Sequence, residues 1–133
     1  TLRGMRQANA GMSKAAVGLS RSDAVVAMGL AYRRFAKDHP GLYAAAIAAP
    51  PAGDTELQQA ATETVETVVQ VLAGFGLGEE DALHATRGLR AIIHGFVSLE
   101  IEGGFGLPLD LDVSFDRMIE ALSAGLGTPA PAA

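Results

Sequence analysis

The residue types that most often carry chemistry are few in this chain and widely separated. The three histidines, His39, His84 and His94, fall in three different segments, without the short spacing of a metal-ligand pair. Cysteine is absent, which excludes a thiolate nucleophile and a disulfide. The glycine-rich segment 74–78 lacks the lysine and the preceding strand of a phosphate-binding loop. These patterns predict a protein that is not an enzyme and that uses no metal and no cofactor.

Serine and glutamate residues give no stronger indication of catalysis. Ser13, Ser98 and Ser123 lie in no nucleophile-elbow pattern. Glu100 and Glu102 are too close in sequence to face each other on a helix, so both are expected to be solvated. The chain is therefore expected to act by binding.

Length and composition indicate a single helical domain with a core of its own. The chain has 133 residues, of which 49% are hydrophobic, and its net charge is −5. That charge argues against binding DNA unaided, although residues 1–40 hold seven Lys and Arg against two acids. The longest apolar run, 42–52, is far shorter than the roughly 20 residues of a membrane span. Because no signal peptide is visible either, we expect a cytoplasmic protein with no membrane partner.

Apolar spacing and breaker residues predict an all-α fold of about six helices. Asp54 is the predicted cap of the fourth helix, and Asp112 or Ser114 that of the last. A tail rich in Pro and Ala follows, over 127–133. The six predicted helices run over roughly 2–17, 20–39, 41–48, 54–73, 79–102 and 112–126.

The last two predicted helices are too apolar for the surface of a monomer. One flank of the fifth helix carries small residues where charges are expected, and the last helix has the three-four apolar spacing of a bundle seam. This predicts a homodimer held by a four-helix interface, with a monomeric bundle as the alternative. The predicted interface residues are Gly88, Ala91, Gly95, Leu99, Phe115, Met118, Ile119 and Leu122.

Three segments of the chain resemble the C-terminal domain of TetR-type bacterial transcriptional regulators. They are 90–100 (RAIIHGFVSLE), 103–108 (GGFGLP) and the pair Ser114-Phe115. They are similar to the subtype named for a Trp-His-Gly signature, although Ile93 stands where that signature has Trp. Residues 39–43 (HPGLY) resemble the helix break of the same subtype. The resemblance covers the chain from about residue 20 to 126.

The resemblance implies a fold and a mechanism. The last two long helices of each subunit would pair into a dimeric four-helix bundle, and the other helices would enclose a pocket for a small hydrophobic effector. Residues 1–126 would form the ligand-binding and dimerisation domain. The N-terminal helix-turn-helix domain, which the family uses to read DNA, is absent from this chain, and DNA would be reached only through it.

The predicted pocket lies where methionine and aromatic faces meet an alanine-rich short helix. Small side chains opposite methionines and tyrosines leave room for a cavity. Tyr32, Tyr43 or His94 would be its polar anchors, although His94 is also explained as a structural histidine bonded to a neighbouring helix. The predicted ligand-binding residues are Met12, Met28, Tyr32, Phe35, Tyr43, Val65, Val69 and His94.

Two alternatives to a regulatory domain stay open at this point. The chain could be a stand-alone helical carrier or binding protein for a hydrophobic small molecule. It could also be a module whose only role is to dimerise, in which case its interior would be filled.

Overall fold

The computed structural model describes residues 2–19, 21–41, 43 and 50–126. The described residues form five α-helices and no strand, so the predicted all-α class is confirmed. Most of the short helix predicted over 41–48, and the tail over 127–133, lie outside the described residues. The helices are α1 (Leu2–Ala16), α2 (Arg21–Asp38), α3 (Thr55–Leu72), α4 (Glu79–Ile101) and α5 (Leu111–Gly125), with a 3-10 turn at Ala73–Phe75.

The start of α3 follows the prediction, whereas the start of α5 does not. The Asp54 carboxylate accepts a hydrogen bond from the Leu57 N–H at 3.1 Å and caps α3. At α5 the cap is Asp110, in place of the predicted Asp112 or Ser114. Asp110 has extended backbone angles and accepts the N–H of Asp112 at 2.9 Å, so Asp112 already lies within the helix.

Two glycines end α4 by satisfying its last carbonyl groups. Gly103 takes a left-handed φ of 72°, and its N–H donates to the Glu100 carbonyl at 3.2 Å. The Gly104 N–H donates to the Leu99 carbonyl at 2.7 Å, which completes a Schellman motif. A Cβ at Gly104 would lie 2.9 Å from Cδ2 of Leu99, so this close turn favours glycine. The motif fixes the position of the last turn of α4.

Helix α2 lies at the centre of the fold and packs against each of the other four helices. It comes close to α4 and α5 at Gly29, where a Cβ would lie 3.5 Å from Phe115 and Ile119 and 3.6 Å from Ile93. Helix α1 covers α2 and α3, and Thr67 on α3 donates a 2.7 Å hydrogen bond to Asn9 on α1. Among the described helices, none combines the length and apolarity needed to cross a membrane.

The apolar stripe of α5 packs mainly into the core of its own chain. Phe115 and Ile119 have no exposed surface and belong to the main hydrophobic cluster with residues of α2 and α4. The prediction that these two side chains lie in a dimer interface is therefore wrong. The spacing identified the apolar face of α5 correctly, but that face is covered by α2.

Candidate ligand-binding site

A cavity of about 250 Å³ lies between the first four helices. Its walls are mostly apolar and include side chains from α1, α2, α3 and α4, together with Pro50. An apolar cavity with a few polar groups is the usual form of a small-molecule site. The described lining residues are Met5, Ala8, Met12, Met28, Tyr32, Pro50, Ala61, Thr64, Val65, Val68, Thr86, Leu89, Arg90 and Ile93.

Four of the predicted ligand-binding residues, Met12, Met28, Tyr32 and Val65, line this cavity. The other four are not among its described lining residues. These are Phe35, which packs in the core against the ring of His39, the half-buried Val69, and the pair Tyr43 and His94.

Tyr43 and His94 form a hydrogen-bonded pair next to the cavity. The Tyr43 hydroxyl lies 2.6 Å from Nδ1 of His94, and the Ser98 hydroxyl lies 3.4 Å from the same nitrogen. The Tyr43 ring stands edge-on to Tyr32 with 5.5 Å between ring centroids. Burial raises the pKa of Tyr43, so its hydroxyl keeps its proton at neutral pH. His94 thus contacts Tyr43, a residue of the segment that follows α2, and Tyr43 in turn packs against Tyr32.

The polar side chains that line the cavity differ in the hydrogen bonds that they already make within the chain. Thr64 donates to the Ala60 carbonyl at 3.0 Å, and Thr86 donates to the Ala82 carbonyl at 2.8 Å. Both hydroxyl protons are therefore used within their own helices. Burial raises the pKa of Tyr32, which keeps this cavity-lining phenol protonated at neutral pH. Tyr32 and Arg90 are the other lining residues with O–H or N–H donors, and both already interact with other residues of the chain.

Sequence patterns identified only some of the residues in these walls. Met5 and Ala8 were not predicted as ligand-binding residues, although they lie on the same face of α1 as Met12. Arg90 was not predicted either, because an arginine on a helix is read first as a surface residue. Within the described part of the chain, no group of His, Asp and Glu residues is arranged to hold a metal ion.

A buried ion pair lies behind the cavity and links α2 to α4. The guanidinium of Arg33 donates to both carboxylate oxygens of Glu100, at 2.9 and 2.7 Å. It also donates to Asp112 of α5 at 2.7 Å, and Lys37 lies 3.5 Å from Glu100. The expectation that Glu100 is solvated is wrong, because its side chain is only 9% exposed. We call these four residues the Arg33 cluster.

Aromatic rings complete the surroundings of Arg33. Its guanidinium carbon lies 5.5 Å from the ring centroid of Phe96 and 5.1 Å from that of Phe115, within cation–π range. Arg33 directly follows Tyr32 in α2, so one helical turn contacts both the cavity and the Arg33 cluster. A displacement of this turn by a ligand would therefore reach α4 and α5.

No described residue of the chain packs on the small-residue flank of α4. A Cβ added at Gly88 or Gly95 would meet no atom within 4 Å, and Ala91 between them is exposed. Leu99 is 49% exposed. On α5, Met118 and Leu122 are partly buried against the core. The outward flank of α4, which we define as Gly88, Ala91 and Gly95, is thus uncovered by the described residues.

Comparison with known proteins identifies the family. Residues 25–122 match the family described as the tetracyclin repressor-like C-terminal domain, and the chain belongs to that family. It is 37% identical over 116 residues to the uncharacterized HTH-type transcriptional regulator Rv0681 of Mycobacterium tuberculosis, covering 86% of this chain and 53% of the relative. It is 32% identical over 103 residues to the uncharacterized HTH-type regulator YobS of Bacillus subtilis, covering 77% and 53%. The chain spans about half the length of these relatives.

Proposed function

We propose that this chain is the ligand-responsive domain of a TetR-like transcriptional regulator. It binds a small hydrophobic effector and dimerises, and it thereby controls a helix-turn-helix that lies outside these 133 residues. The observation that carries the proposal is the mostly apolar cavity of about 250 Å³ between α1, α2, α3 and α4. The match to a family of regulatory C-terminal domains and the names of the two relatives support it. A filled interior would have favoured a role in dimerisation alone.

The proposed signal passes from the cavity to α1 and α2. Met5 and Met12 present the face of α1 to the ligand, while Met28 and Tyr32 present that of α2. An effector changes the DNA-reading state only if it binds one arrangement of these helices better than another. Since Arg33 follows Tyr32, the same movement would change its contacts with Glu100 and thus reach α4.

The proposed dimer uses the outward flank of α4 and the apolar surface beside it. Large exposed hydrophobic side chains are concentrated between the end of α4 and the first turn of α5. Exposed apolar side chains that form a continuous patch are typical of an interaction site. The exposed residues there are Leu99, Ile101, Phe105, Leu107, Leu109 and Val113.

Filling the cavity is expected to abolish binding of a neutral apolar probe. Val65 lines the cavity, so a Val65→Trp variant places an indole where the probe would lie. We expect the affinity for 1-octanol, measured by calorimetry, to fall at least about tenfold, since the apolar contacts are lost. Val69→Trp is the matched control, because Val69 is on the same helix and is not a described lining residue. Equal loss in both variants would contradict the proposed site.

A further inference from the structure

The cavity has one charged group among its described lining residues. Arg90 of α4 is that group, and no carboxylate is found among them. The other walls are aliphatic, thioether or aromatic, apart from two threonines that bond to their own helices. The site therefore has an extended apolar surface and a single cationic group.

Arg90 is an exposed residue of the cavity wall. Its residue is exposed to solvent and also lines the interior, so its side chain runs from the apolar wall to the surface. Arg90 makes further interactions within the chain. A guanidinium has several N–H donors in a fixed fork, so it can bind a ligand oxygen in addition to these partners.

The positive charge of Arg90 acts on both phenol groups beside the cavity. The positive charge of Arg90 lowers the pKa values of Tyr32 and Tyr43, against the larger effect of burial, which raises them. Its charge is therefore felt at both phenol groups. A ligand carboxylate beside Arg90 would be stabilised by the same positive charge.

The volume limits the size of the ligand. The cavity volume of about 250 Å³ lies near the lower end of the roughly 300–1,000 Å³ that is usual for ligand pockets. A medium-length alkyl chain has this volume, and the flexible side chains of Met5, Met12 and Met28 can pack along it.

We infer that the ligand is an amphipathic anion, a medium-chain carboxylate, with its alkyl chain between α1 and α3 and its carboxylate beside Arg90. This inference rests on the proposed function, and it adds the chemical class of the effector. Tyr32 also lines the cavity, and its hydroxyl can form a second hydrogen bond to the carboxylate. Arg90 then selects the head group, and the apolar walls select the chain.

The test compares three probes with the same alkyl chain: octanoate, 1-octanol and octylammonium. Calorimetry on the complete chain, below micelle-forming concentrations, is expected to show that octanoate binds about tenfold more tightly than 1-octanol, and octylammonium most weakly. Arg90→Gln is expected to remove the octanoate preference and to leave octanol binding within about twofold. Arg87→Gln is the matched control, since Arg87 is exposed on the same helix and is not a described lining residue.

The outcomes separate this inference from the proposed function. If octanol binds as tightly as octanoate, and both are lost in Val65→Trp, the cavity is a ligand site but the inference of an anion is overturned. If none of the three probes binds, the proposed function fails as well. Arg90→Lys keeps the charge and is expected to retain most of the octanoate preference. Loss of octanoate binding in folded Arg87→Gln to the same extent as in Arg90→Gln would also overturn the role of Arg90.

Discussion

An Arg33→Met variant is expected to lose about 3 kcal/mol of unfolding free energy, because it leaves the Glu100 carboxylate buried without its main partner. The side chains of Arg33 and Glu100 are 7% and 9% exposed, so water cannot replace the lost hydrogen bonds. Lys37 remains 3.5 Å away, but it is half-exposed and compensates only in part. Urea unfolding should reveal the loss, and the midpoint of thermal unfolding should fall by roughly 10 °C.

Two further variants separate the stability contribution of the buried pair Arg33–Glu100 from that of the exposed pair Arg33–Asp112. Arg33→Met combined with Glu100→Met removes both charges and is expected to recover at least half of the loss, since no unpaired charge remains. Asp112→Asn removes a partner whose side chain is 80% exposed, so it is expected to cost less than about 1 kcal/mol. If the double variant is less stable than Arg33→Met alone, the explanation by an unpaired carboxylate is wrong.

The same pair predicts a dependence of stability on pH. Hydrogen bonds from Arg33, opposed by burial, lower the pKa of Glu100 in the folded chain. A carboxyl with a lowered folded pKa stabilises fully above its unfolded pKa of about 4.3, and this contribution disappears as pH falls through the folded pKa. We therefore expect the unfolding free energy to decrease on acidification in this range. In Glu100→Gln, which cannot titrate, the decrease should be smaller, and an identical pH profile would contradict the assignment.

An Ala91→Arg variant is expected to convert the proposed dimer into monomers. Ala91 lies between Gly88 and Gly95 on the outward flank of α4, where small residues would let a second backbone approach. In a two-fold interface each copy presents the same surface, so two arginines would meet there. Repulsion and lost contact are expected to raise the dimer dissociation constant at least about 100-fold. Sedimentation velocity at micromolar concentration measures this change.

A control at a different surface separates the interface from a general effect of charge. Ala10→Arg introduces the same side chain at an exposed position of α1 and is expected to leave the dimer intact. Both variants should fold normally, because both alanines are exposed. A parent chain that sediments as a monomer, or a dimer unaffected by Ala91→Arg, would rule out this face of α4 as the interface.

Local sequence signals predicted the helices well, because helix ends depend on neighbouring residues. Asp54 followed by an apolar stripe defined the start of α3, and Gly103-Gly104 defined the end of α4. The same signals do not reveal which helix packs against a given apolar face. The stripe containing Phe115 and Ile119 has the spacing of an intersubunit seam, yet α2 of the same chain buries it.

The polar parts of the site were the least predictable from the sequence. Arg33 continues the buried face of α2 that includes Val25 and Gly29, and Glu100 follows Ile93 and Phe96 on the buried side of α4. A charged residue in register with an apolar face is a signal for a buried pair. Its partner cannot be identified from spacing, since Arg33 and Glu100 are 67 residues apart and meet only through tertiary packing.

Three of the four methionines of this chain, Met5, Met12 and Met28, line the cavity. A thioether side chain rotates easily and adapts to different neighbours, so such a wall penalises a branched or bent ligand little. It cannot, however, offer a strong hydrogen bond to a polar substituent within the chain of the ligand. We therefore expect the domain to accept ligands whose alkyl parts differ in shape. We expect it to reject ligands that carry a polar group within the alkyl part.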